Sequence, residues 1–104
     1  MAHRVITLPQ AEADAVEYAE YIAQDSREAA YKWLVGLEEA IESLSDMPER
    51  CAVIPEHGMF TRIFRHLHYH SHRIVFFIEE VVVVARIYHG ARDELRPDDL
   101  SGGQ

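Results

Sequence analysis

HRIVFFIEEVVVVARIYHGARDEL, His72 to Leu95, is the stretch that decides the fold. Two apolar runs, Ile74–Ile78 and Val81–Ile87, flank the pair Glu79-Glu80. Both runs are strand-length and rich in β-branched and aromatic residues, so the stretch predicts a β-hairpin. The second run ends in a polar cluster, Tyr88-His89-Gly90-Ala91-Arg92-Asp93. The end of a buried strand is where a small domain places working groups, and Gly90 supplies a residue able to adopt a left-handed backbone there.

Upstream, Thr61–Leu67 alternates polar and apolar residues through Arg62, Ile63, Phe64 and Arg65, the pattern of a further strand. Tyr69-His70-Ser71 then reads as the turn that joins it to the hairpin. The loop at 48–60 carries Pro48, Pro55 and Gly58. Before it comes the clearest helix, with Ala30, Trp33, Leu34, Leu37, Ile41 and Leu44 on one apolar stripe. Asp25-Ser26 offers its N-cap, Glu28 sits in its first turn, and Pro48 stops it. Glu38, Glu39 and Glu42 fall mostly off the stripe, on a solvated face. An earlier helix spans 10–24, with Ala11, Ala15, Tyr18, Ala19 and Ile22 at helical spacing and Pro9 at its start. A short strand at His3–Leu8 precedes it. The order is β-α-α-β-β-β: an α+β, two-layer fold with two N-terminal helices packed on a mostly antiparallel sheet.

At 104 residues the chain is one domain, assigned here to 1–93, followed by a loose acidic tail at 94–104 with Pro97, Asp98 and Asp99. A hydrophobic content of 48% is too high for a disordered chain. The longest apolar runs are five residues, which excludes a membrane-spanning helix, and no N-terminal segment has the form of a signal peptide. Cys51 is alone, so a cytoplasmic setting with an inert thiol is expected. The net charge of −8 is uneven. Residues 1–49 hold 11 acids and three bases, whereas 57–78 hold no acid but Arg62, Arg65, Arg73 and five histidines. The global charge argues against broad nucleic-acid coating, while the basic window permits a focused anionic contact.

Within that window, His66, His68, His70 and His72 recur at every second position, the spacing by which strand neighbours share a face and bind a metal together. The turn at Tyr69–Ser71 breaks the common face, and no carboxylate or cysteine lies close in sequence, so no metal site and no cofactor is assigned. Trp33 and the leucine stripe are core.

The element order, together with Arg62-Ile63, His72-Arg73-Ile74-Val75-Phe76 and Val83-Val84-Ala85-Arg86-Ile87-Tyr88-His89-Gly90-Ala91-Arg92-Asp93, resembles the ParE/RelE toxin superfamily of bacterial toxin–antitoxin systems. The last string is similar to the ParE ending V-x-R-[VI]-x-H-[GA]-x-R, and Ala11-Glu12-Ala13-Asp14 with Tyr21-Ile22 resembles the family's first helix. The resemblance implies a small cytoplasmic toxin neutralised by a cognate ParD/RelB-like antitoxin, whose tail uses the sheet edge and the groove between helices and sheet. ParE-type members poison DNA gyrase and are not enzymes, and that is the principal expectation. On it, Arg62, Arg65, Arg86, Tyr88, His89 and Arg92 are candidate target or antitoxin contacts, Arg86 being the one most suited to a helix or antitoxin carboxylate.

RelE-type members instead cut messenger RNA on the ribosome, which needs a proton shuttle for the 2′-OH and cations at the scissile phosphate. In that alternative Arg73 and Arg92 match the family's arginines, and Glu56, Arg73 and His89 resemble the Glu-Arg-His set of YoeB-like members. The chain departs from the pattern by lacking the C-terminal tyrosine and the strand lysines; its one lysine, Lys32, is in a helix. A third alternative is an inactive member kept as an interaction module with its antitoxin.

Overall fold

A computed structural model describes residues 3–90, the side chain of His57 aside; Arg92 and the expected tail at 94–104 lie outside the described residues. The elements run β1 (Val5–Thr7), α1 (Pro9–Ala23), α2 (Arg27–Glu42), β2 (Arg65–Tyr69), β3 (His72–Ile78) and β4 (Val82–His89). The four-stranded sheet has the order β1-β4-β3-β2, with β1 parallel to β4 and the other neighbours antiparallel. Two helices on a mostly antiparallel sheet is the architecture expected from the sequence.

Local chemistry explains the boundaries. Leu8 remains extended, its N–H donates to Val84 O at 2.9 Å, and Pro9 opens α1 at a position that needs no donor. Ser26 caps α2 by accepting from the Ala29 N–H at 3.1 Å. The stripe does not run as one α-helix to Pro48. It ends at Glu42 and tightens into a 3-10 turn at Ser43–Ser45. Arg50 reaches back and donates to the carbonyls of Asp46 (2.6 Å) and Met47 (3.3 Å). Met47 reverses the chain with a left-handed φ of 48°.

The core has two parts. On the helix side, Ile74, Phe76, Val82, Val84 and Ile87 pack with Trp33, Leu37 and Leu44. On the other side, Val75, Phe77, Val83, Ala85 and Tyr88 pack under Ile54 and Phe64 of the 51–64 segment. β3 and β4 are thus buried on both faces, which is why their sequences are continuous apolar runs rather than alternations.

The strand expected at Thr61–Leu67 is shifted to Arg65–Tyr69. Arg62 and Ile63 belong to the covering segment, where Phe60 and Phe64 stack edge-on toward Phe77 with ring separations of 5.4 and 5.6 Å. The register of β2 is fixed from the other end by the two-residue turn at His70-Ser71, with His70 at φ 53°. Gly90 has no positive φ, so the left-handed strand ending expected there is not used. Its N–H instead donates to Ser71 O at 2.7 Å and ties the end of β4 to that turn.

Candidate functional site

Two polar clusters occupy opposite faces of the sheet. The first lies on the face covered by the 51–64 segment. Arg73, 6% exposed, meets Glu56 in a bidentate pair, Nη1 to Oε1 at 3.1 Å and Nη2 to Oε2 at 2.6 Å. Nη1 also lies 3.3 Å from His66 Nδ1. A guanidinium has no acceptor, so Nδ1 accepts and the His66 proton is assigned to Nε2. Burial lowers the His66 pKa, and the neighbouring His68 and Arg73 lower it further against the opposing pull of Glu56. Both Nη atoms of Arg73 are spent inside the protein, and its Nε is buried with no hydrogen-bond partner among the described residues. This is an ion pair that fastens the covering segment to the sheet, and it leaves the arginine no open fork for a phosphate.

The second cluster lies between α1 and the end of the β3–β4 pair. His72 sits in a ring cluster with Tyr18 (4.5 Å), Trp33 (5.1 Å) and His89 (5.2 Å). Here β4 runs past the end of β1, so its outward N–H groups have no neighbouring strand. Side chains of α1 replace it. Asp14 accepts from Ile87 N–H at 3.0 Å and from Arg86 Nε and Nη2 at 2.7 and 3.0 Å, and Tyr18 Oη accepts from His89 N–H at 3.0 Å. Residues four apart on a helix share a face, so one face of α1 serves both positions. Beside this contact lies a cavity of about 350 Å³, with Glu17, Tyr18, Tyr21 and Ile22 on one wall and His72 and His89 on the other.

The fold brings Glu56 and Arg73 together and leaves His89 on the opposite face: Arg73 pairs with Tyr88, and His89 pairs with His72. The Glu56–Arg73–His89 set suggested by resemblance is therefore not one centre. Arg92 lies outside the described residues.

The other candidate contacts are tied into the fold. Arg62 pairs with Glu79 at 2.8 Å and lies 4.0 Å over the Phe77 ring. Arg65 donates to Cys51 O at 2.7 Å, beside a thiol whose pKa is pushed up by burial. Arg86, held by Asp14, also lies 4.7 Å over the Tyr88 ring, and Tyr88 is buried. The histidine series is split: His66 and His68 lie on β2, His70 in the turn, and His72 in the ring cluster. Among the described residues no three His, Cys, Asp or Glu side chains converge as a metal site. Sequence reading missed Asp14, Tyr18 and His72 as a group. The i, i+4 spacing of the first two was the available signal, but it does not say which strand end they meet.

A family model described as the ParE toxin of the type II toxin–antitoxin system parDE matches residues 5–94. Among solved structures, the fold is similar to a chain of the chromosomal ParDE toxin–antitoxin system from P. aeruginosa, with a TM-score of 0.66 and 18% identity over 85% of this chain and 96% of that one. No curated protein is similar enough in sequence to count as a relative.

Proposed function

The chain belongs to the ParE toxin family of type II toxin–antitoxin systems, and from that premise we propose that it is the toxin of such a module, acting by direct binding to DNA gyrase and neutralised by a cognate ParD/RelB-like antitoxin. The cytoplasm is the compartment where gyrase and the antitoxin would be met. The observation that carries the non-enzymatic reading is the separation of the candidate catalytic groups. Ribonucleolysis needs a proton shuttle and phosphate-binding cations at one scissile bond. Here Arg73 is closed by Glu56, and His89 stands across the sheet. A net charge of −8 further disfavours binding to the ribosome's phosphate surface.

Induction of the chain without its antitoxin in growing bacteria tests the proposal. Filamentation with a DNA-damage response is expected. Rapid translation arrest with transcripts cut at ribosomes would restore the ribonuclease alternative, and unimpaired growth would make the chain an inactive interaction module.

A further inference from the structure

The cavity between α1 and the end of the β3–β4 pair has a chemistry of its own. Its volume of about 350 Å³ is at the small end of the range for ligand sites, enough for one long side chain with water. Tyr18 and Tyr21 give it two aromatic rings one helical turn apart. Glu17, one turn from Tyr21, is the sole formally charged side chain among the described residues lining it, counting imidazoles as neutral, and it has no ion pair among the described residues. α1 carries Glu12, Asp14, Glu17 and Glu20 but no lysine or arginine.

The location adds a second argument. Residues 17–22 are the last two turns of α1, where the helix dipole presents its negative end, and no basic side chain occupies the last turn. The nearby Arg86 is held by Asp14. An anion entering here would meet Glu17 and the helix carbonyl end. A cation would meet the Glu17 carboxylate, a lining with two tyrosines and a favourable dipole.

We propose that this cavity is a receptor for an arginine or lysine side chain presented by a partner polypeptide. The contact chemistry is the same whichever protein supplies the side chain, and so is independent of gyrase being the target. The negative α1 surface draws a basic segment toward the sheet end, and the cavity gives that segment one anchoring point.

The test titrates N-acetyl-arginine amide into the full chain carrying isotope-labelled tyrosine and histidine, followed by NMR, with N-acetyl-citrulline amide as the neutral isostere and N-acetyl-glutamate amide as the opposite charge. Expected is saturable movement of the Tyr18, Tyr21, His72 and His89 resonances with a millimolar dissociation constant for the arginine probe. Binding should weaken about two- to fivefold for citrulline, and by a similar factor in Glu17→Gln and in Tyr21→Ala, the size of one partly exposed cation contact. Both positions are exposed, so these variants keep the fold, and Glu38→Gln on α2 should leave binding unchanged. Equal binding of arginine and citrulline, preference for the glutamate probe, indifference to Glu17→Gln, or no saturable shift would each overturn the proposal.

Discussion

Arg73 and His89 lie on opposite faces of one sheet because β4 carries one residue more than β3 can pair. From Phe76 to Ile78 the partners are Val84 to Val82, while from His72 to Val75 they are His89 to Arg86, and Ala85 is the residue left over. Such a bulge moves every later side chain to the other face. Continued without it, the register would set Arg73 against Ile87 and bring His89 onto Arg73's side. The same irregularity turns Ile87 toward the helices, where its N–H meets Asp14 at 3.0 Å.

Arg73→Ala should destabilise the protein by about 3–5 kcal/mol in urea unfolding, because the largely shielded Glu56 carboxylate loses its bidentate guanidinium partner. Replacing both partners, Glu56→Leu with Arg73→Met, should recover most of that loss. Under the proposed gyrase-binding function the double variant should keep whatever growth inhibition the parent chain shows, whereas loss of that effect in a folded double variant would favour the ribonuclease alternative.

Asp14→Ala removes the acceptor for both Arg86 and the Ile87 N–H, and a cost of about 2–3 kcal/mol is expected. A double-mutant cycle with Arg86→Met measures the share carried by the ion pair, and a coupling of about 1–3 kcal/mol is expected. Asp14→Asn keeps an acceptor for Ile87 and should cost less than Asp14→Ala.

The pH dependence of stability should carry a His66 component. Its folded-state pKa is lowered from 6.5, so the unfolded chain takes up the proton first as pH falls. The contribution is complete above pH 6.5, declines as pH falls from there toward the folded-state pKa, and is flat below it. Urea midpoints measured from pH 7.5 downward should fall less steeply in His66→Gln than in the parent chain.

Gly36 is fixed by a close approach rather than by its backbone angle. A Cβ there would overlap the hydroxyl of Tyr69, which donates to Trp33 O at 2.8 Å. Gly36→Ala should therefore destabilise, despite the roughly 1 kcal/mol of helix propensity gained. In a Tyr69→Phe background the nearest ring carbon stands 3.2 Å away, so a shift of a few tenths of an ångström accommodates the methyl and the sign should reverse. Thermal unfolding of the parent chain, the two single variants and the double variant reads this directly.

Much of the architecture was legible because it rests on local periodicity. The Trp33–Leu44 stripe, the Ser26 cap and the turn between Tyr69 and His72 each follow from neighbouring residues. Arg86 was expected to meet either a helix or an antitoxin carboxylate, and among the described residues it meets Asp14 of α1. The start of β2 was misplaced because Ile63 and Phe64, set between Arg62 and Arg65, read as strand alternation, whereas Phe64 packs edge-on against Phe77 from the covering segment. Of the candidate site, the residue types were legible but not their grouping. Faces on β4 depend on the bulge at Ala85, which no composition marks, and without it Glu56, Arg73 and His89 look like one set. The histidine at 66 was weighed as a metal ligand, whereas its partner is an arginine seven residues on, visible only once β2 and β3 are paired.

On the proposed function the chain acts by stoichiometric binding to gyrase. Titrating the purified chain into a gyrase supercoiling reaction tests it most directly. Loss of supercoiling should break at a fixed ratio of toxin to enzyme, accumulate cleaved DNA, and reverse when the cognate antitoxin is added. Unchanged supercoiling in the presence of a large excess of folded toxin would contradict it.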